Sequence, residues 1–252
     1  MAFDVAAESY ARFMGRFAEP LADQLVELVG ARAGQTALDV GCGPGTVTER
    51  LVRELGAGSV AAIDPSPPFV EAARGRCPGA DVREGTAEHL PFEGSAVDLS
   101  VAQLVVHFMA DPVVGLREMA RVTRAGGTVA ACVWDYAGER APLSTFWHAA
   151  RELDPGAVDE SALAGAREGH LAALFREAGL DDPWSGELTV TSSYAGYDEW
   201  WEPYTLGVGP AGDYVAGLDP DARDALSARC RELLPRGPFE LTATAWTVIA
   251  RL

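Results

Sequence analysis

Two features of the 252-residue sequence have the residue types and spacing to hold a reactive small molecule: a glycine-studded loop and a carboxylate that follows it. The stretch ALDVGCGPGTVTERL (37–51) sets Asp39, Gly41, Gly43 and Gly45 at alternate positions between an apolar run and an amphipathic segment. Glycines there permit tight positive-φ turns and let a ligand lie against bare main chain. The dinucleotide fingerprint G-x-G-x-x-G, read from Gly41, needs its third glycine at position 46, which is Thr. The turn between Gly41 and Gly45 holds no Arg or Lys and is preceded by Asp39, so it suits an ammonium or sulfonium better than a pyrophosphate. Asp64 closes the next apolar run, VAAID, nineteen residues past Gly45. A carboxylate at that place accepts two hydrogen bonds from a ribose diol. Glycine loop and acidic strand end together predict an adenosine-type ligand without phosphates.

The elements that must position these groups alternate in type. Strands are expected at 36–41, 59–64, 80–84, 96–102 and 126–134, with helices at 46–55, 67–76 and 112–124 between them. Strands separated by single helices imply right-handed crossovers and a parallel sheet covered on both faces, a doubly wound α/β fold. Residues 7–30 carry apolar positions at helical spacing (Phe13, Phe17, Leu21, Leu25, Leu28) and read as a helical lead-in. Further helices are expected at 170–180 and 221–234. The alternating stretches 186–194 and 239–252 read as strands, the antiparallel edge of an otherwise parallel sheet. Residues 136–165 and 195–236 exceed ordinary connection lengths and are expected to form lid segments.

Residues 36–134 resemble the class I S-adenosylmethionine-dependent methyltransferases. ALDVGCGPG is similar to the family's first motif and AAIDPS to its acidic second-strand motif; REGTAEHLPFEGSAVDLSVAQLVVHFMADP and LREMARVTRAGGTVAACVWD are similar to the segments that follow. The fourth strand lacks the (N/D)PPY of nucleic-acid and glutamine N-methylating members, which makes the small-molecule branch the closer likeness. The resemblance implies one domain over 1–252: a helical cover (1–34), a cofactor core (36–134) and lids. It implies S-adenosylmethionine as cofactor. Gly41 and Gly43 would then give backbone contact to the methionine portion, with Asp39 near its amino group and Gln103 and Leu104 along its backbone. Asp64 would bind the ribose, with Pro65, Ser66 and Phe69 flanking the adenosine and Thr86 and Ala87 at the adenine edge. Family members often carry Asp where Thr86 stands; Glu88 is the carboxylate available instead. Tyr10 and Arg16 are expected to cover the cofactor, Arg16 facing its carboxylate.

Methyl transfer needs a base only when the nucleophile is protonated, and the candidates are His107, past the fourth strand, and His148, in the first lid segment. Trp134, Tyr136, Trp147, Tyr197, Trp200 and Trp201 either contact a flat or apolar acceptor or pack the lid. Composition narrows the rest. The formal net charge is −17, which disfavours nucleic acid and anionic lipid as partners. All twenty basic residues are Arg, and with no Lys the chain offers no Schiff-base or Walker chemistry. The four Cys form no CxxC pair, so neither zinc nor a disulfide framework is expected. MAFDVAAESY has no basic cluster, no stretch approaches eighteen apolar residues, and a cytoplasmic monomer or homodimer acting on a small molecule is the expectation. Two rivals stay open: an NAD-dependent oxidoreductase, and a protein that binds S-adenosylmethionine without transferring methyl.

Overall fold

The structure, a computed structural model, describes residues 11–252. A single π-type turn, Ala11–Gly15, leads into helix α1 (Arg16–Val29), which ends on Gly30 in the left-handed conformation. Then come β1 (Ala37–Val40), α2 (Thr46–Leu55), β2 (Val60–Asp64), α3 (Pro67–Arg76), β3 (Asp81–Glu84) and β4 (Val97–Gln103). The chain continues through α4 (Pro112–Val122), β5 (Thr123–Trp134), α5 (Ser144–Leu153) and α6 (His170–Glu177). It closes with β6 (Trp184–Tyr194), α7 (Tyr197–Trp201), α8 (Gly209–Gly217), α9 (Pro220–Leu233) and β7 (Phe239–Arg251).

The strands form one seven-stranded sheet in the order β3-β2-β1-β4-β5-β7-β6. β1 to β5 are parallel, while β7 runs antiparallel to both β5 and β6. This is the doubly wound α/β sheet with an antiparallel last strand that the alternation of elements predicts. Strand order reverses between β1 and β4, so the crevice for a ligand opens at their carboxyl ends. Every residue of β1 and β4 is buried, as strands covered on both faces require. β5 begins three residues earlier than expected, at Thr123 rather than Gly126. A register shift between Val97 and Leu99 of β4 lets Thr123 pair with Val97 before the regular ladder resumes at Thr128.

Helix α1 buries Phe17, Leu21 and Leu25 against the sheet, each worth about 1.5–3 kcal/mol relative to exposure. Its outer edge is fixed by charge. The Arg50 side chain, almost fully enclosed, meets Glu19 and Asp23 of α1 and Glu49 of α2, and Arg76 of α3 meets Glu19 and Glu49. One network thus joins the covering helix to the two helices flanking the glycine loop. The long stretches after β5 and β6 pack on each other through aromatic rings. Phe146 stacks on Tyr204 at 4.6 Å and meets Trp201 at 6.5 Å, and Trp147 meets Tyr214 edge-on.

Candidate active site

The carboxyl ends of β1 to β5 converge on a cavity of about 720 Å³. Its floor is the turn after β1. Gly41, Gly43 and Gly45 have φ of 69°, 53° and 89°, where other residues are strained. A methyl at Gly41 would meet Val105 Cγ2 at 2.3 Å, so this position must be bare for the turn after β4 to pass. A methyl at Gly43 would meet nothing within 4 Å. The N–H groups of Gly41 and Cys42 both donate to the Ile63 carbonyl, at 2.8 and 3.0 Å. The Gly43 N–H donates to Asp64 Oδ2 at 2.8 Å. The backbone contact expected of Gly41 and Gly43 is therefore left to their carbonyls and α-carbons.

Asp64 is held on both oxygens, since Ser66 N–H donates to Oδ1 at 2.9 Å. Burial raises its pKa, opposed by these two bonds. Each oxygen keeps a lone pair for a further donor. Asp39, deeper on β1, accepts from Thr48 Oγ1 at 2.6 Å. Desolvation pushes its carboxyl up to about 7, with the nearby Asp64 charge adding to the effect. A cation beside it would restore its charge.

Pro65, Ser66 and Phe69 line the same cavity, as do Thr86 and Ala87 past β3 and Leu104 past β4. Leu104 turns with a φ of 59°, an unusual conformation for its type. Glu88 also lines it, but its Oε1 accepts from Ala110 and Asp111 N–H and so braces the entry to α4. Gln103 donates from Nε2 to the Ala18 carbonyl of α1 at 3.0 Å, tying the cover to β4. Its Oε1, together with His107 Nδ1 and Trp134 Nε1, is buried without a hydrogen-bond partner among the described residues. All three residues line the cavity. Unsatisfied polar atoms are costly in a protein interior, and three around one cavity mark a place built for a polar guest.

Other expected residues lie elsewhere. Tyr10 is outside the described residues. Arg16 does not line the cavity: it pairs with Glu199 at 2.8 Å, donates to the Ser193 carbonyl and stacks over Tyr194. The guanidinium expected to face a cofactor carboxylate is engaged by β6 and α7 instead. His148 is half exposed on α5 beside Glu152, one turn on, and away from the cavity. His107 does line the cavity, but burial lowers its pKa to about 3, which leaves a neutral imidazole of little basicity. Of the six aromatics, Trp134 and Tyr136 line the cavity. Tyr197, Trp200 and Trp201 pack on one another instead, and the two tryptophans also meet Tyr204, all within the segment after β6.

One wall residue was not foreseen. Glu160, in a short 3₁₀ turn (Glu160–Ala162), is 3% exposed and lines the cavity. Trp147 Nε1 donates to its Oε2 at 2.7 Å and Tyr136 bonds it too. Burial pushes its carboxyl up to about 7. In sequence it is one acid in VDESALAG, indistinguishable from a solvated loop charge. Its buried partners, Trp147 and Tyr136, lie thirteen and twenty-four residues earlier. Among the described residues, no group of His, Cys, Asp and Glu could hold a metal ion. No described helix is long and apolar enough to cross a membrane.

Comparison with known proteins agrees with this geometry. Residues 38–131 match the family described as a methyltransferase domain. The chain is 29% identical over 240 residues to an uncharacterised 37.1 kDa protein in transposon TN4556 of Streptomyces fradiae, covering 90% of this chain and 65% of that one. It is 33% identical over 128 residues to the malonyl-[acyl-carrier protein] O-methyltransferase of Serratia marcescens, covering 51% of this chain and 49% of the relative. The chain thus spans about two thirds or less of the length of these curated relatives. Among solved structures, the YcgJ protein of Bacillus subtilis superposes with a TM-score of 0.58 at 20% identity, covering 92% of this chain and 98% of that one, a likeness of fold.

Proposed function

We propose that residues 38–131, which match a methyltransferase domain, form a class I S-adenosylmethionine-dependent methyltransferase core, and that the protein moves the methyl of S-adenosylmethionine to O, N or C of a small, apolar or aromatic acceptor. The observation that carries this reading is the buried Asp64 carboxylate, fixed by Gly43 and Ser66 N–H at the rim of one cavity. Its free lone pairs match a ribose diol. The bare α-carbons of the β1 turn admit a close ligand, and Asp39 has the charge to meet an ammonium. Among the described residues, neither Arg nor Lys lines the cavity, which argues against the diphosphate of a nicotinamide cofactor.

When bound, S-adenosylmethionine supplies an electrophilic methyl on a sulfonium. The chain's own part is to bind, orient and keep out water. Asp64 holds the sugar and Asp39 the amino group, while Gln103 Oε1 accepts a donor along the methionine backbone. Trp134 and Tyr136 form an apolar wall on the acceptor side, and His107, uncharged, donates or accepts a hydrogen bond without adding charge. The segments 136–165 and 195–236 act as the lid, held to one another by the Phe146–Tyr204 stack. Net charge −17 and four buried free cysteines support a cytoplasmic enzyme whose partner is a small molecule, not nucleic acid.

Equilibrium dialysis with methyl-labelled S-adenosylmethionine and with NAD tests the proposal, followed by transfer of label to a panel of apolar alcohols, amines and carbon nucleophiles. Saturable retention of S-adenosylmethionine, followed by label in an acceptor, is expected. Retention of NAD instead would overturn the reading. Tight retention without transfer to any acceptor would reassign the protein to the non-methylating binders.

A further inference from the structure

Resting on that reading, we infer that the acceptor is an apolar amine, bound as its ammonium against Glu160, and that this carboxylate takes the proton the amine must lose before methylation. Four carboxyl side chains line the cavity, Asp39, Asp64, Glu88 and Glu160, and no Arg or Lys does among the described residues. The sequence of residues 1–10 contains no Arg, Lys or His either. His107 is kept uncharged by burial and supplies no positive charge. An acceptor carrying a carboxylate or phosphate would enter this field with no counter-ion, at a high desolvation cost.

Glu160 stands apart from the other three. Asp64 and Asp39 belong to the strand ends and Glu88 braces α4, whereas Glu160 comes from the segment that closes the acceptor side with Tyr136 and Leu143. The adjacent Asp159 pairs with Arg151, which also meets Glu139, while the partners of Glu160 among the described residues are the neutral donors Trp147 and Tyr136. A carboxylate buried without a counter-ion is an unfavourable feature that a cationic guest would relieve. Unpartnered His107 Nδ1 and Trp134 Nε1 line the same cavity and offer further polar contact. The remaining wall, formed by Phe13, Met14, Leu143, Val208 and Ala211, fits an apolar body.

In the step, an N–H bond of the ammonium breaks and its proton passes to a Glu160 oxygen. The freed nitrogen pair forms the N–C bond to the methyl as the C–S bond breaks and leaves its electrons on sulfur. The product is an N-methylated ammonium, and Glu160 returns its proton to solvent. Charge and atoms balance without another reactant.

Size-matched probes test this by titration with tryptophan fluorescence as the readout, since Trp147 touches Glu160: 2-phenylethylamine, 2-phenylethanol and 3-phenylpropanoate, each added to the protein saturated with S-adenosylhomocysteine. The amine should bind about tenfold or more tighter than the carboxylate and the alcohol, and Glu160→Gln should reduce that preference to about twofold. The panel on the unaltered protein stands without the variant should Glu160→Gln fail to fold. Equal or tighter binding of the carboxylate or alcohol overturns the inference, as does amine preference surviving in Glu160→Gln or no amine binding at millimolar concentration. S-adenosylhomocysteine titrated alone separates the two levels: saturation with no amine preference sinks only this inference, and no saturation sinks the reading beneath it.

Discussion

Replacing Gly41 with Ala should damage the protein through two separable effects. The added methyl would sit 2.3 and 2.5 Å from the two γ-carbons of Val105 and 2.9 Å from its β-carbon. Because the β-carbon itself is too close, rotating the valine cannot clear the clash, and the β1 turn or the turn after β4 must shift. Overpacking of this kind costs about 1–3 kcal/mol. Holding alanine at a φ of 69° adds roughly 1–2 kcal/mol. The expected loss is therefore about 2–5 kcal/mol, a large share of the stability of an ordinary domain. Urea unfolding followed by tryptophan fluorescence would measure it. The double variant Gly41→Ala/Val105→Ala removes the γ-carbons but neither the φ penalty nor the β-carbon contact. It should recover about 1–2 kcal/mol relative to the sum of the single changes. A Gly41→Ala loss below about 0.5 kcal/mol, or strict additivity in the double variant, would refute the close-packing argument.

Gly43→Ala should behave differently, since its methyl has open space around it: stability should fall by only about 1 kcal/mol, while S-adenosylhomocysteine affinity falls at least about tenfold, and an unchanged affinity would remove Gly43 from the site. Asp39 makes cofactor affinity depend on pH. Its carboxyl is raised to about 7 and an ammonium favours the charged form, so affinity should climb as pH rises towards 7 and then level off, with proton release seen as buffer-dependent heat. A flat profile would contradict this. Glu160, also raised to about 7, contributes stability that is full below its unfolded value near 4.5 and is lost as pH rises through about 7, on the order of 3 kcal/mol. Urea midpoints of Glu160→Gln should therefore gain on the parent between about pH 5 and pH 8, and parallel curves would show that burial does not perturb it. Arg50→Ala, which leaves Glu19, Asp23 and Glu49 facing one another, should cost about 2–3 kcal/mol in the same assay, and Arg50→Lys should restore only part of it.

The fold was legible because its signals are local. Strand and helix periods, the glycine spacing and the acid closing β2 each lie within a few residues, and the parallel order follows from the crossovers. The strand-end part of the cavity wall was legible for the same reason, because Asp39, Asp64 and Gln103 lie towards the carboxyl ends of their strands, where direction is set by the sheet. Side chains on α1 and on the long connecting segments were not legible, since their direction depends on partners far along the chain. Arg16 turns to Glu199 and Tyr194, residues more than 170 positions away. Trp200 and Trp201 pack on Tyr204 and do not line the cavity, whereas Glu160 does, held by Trp147 and Tyr136. The early start of β5 was hidden likewise, because the Gly126–Gly127 pair looks like a turn until the β4 irregularity is known.

Calorimetric titration of S-adenosylhomocysteine into the intact protein and into Asp64→Ala tests the central claim most directly. One site per chain is expected in the former. In the latter, loss of two charge-assisted hydrogen bonds at about 1.5–3 kcal/mol each should weaken binding at least about a hundredfold, with the fold retained. No saturable heat from the intact protein, or equal affinity in the two, would contradict the account.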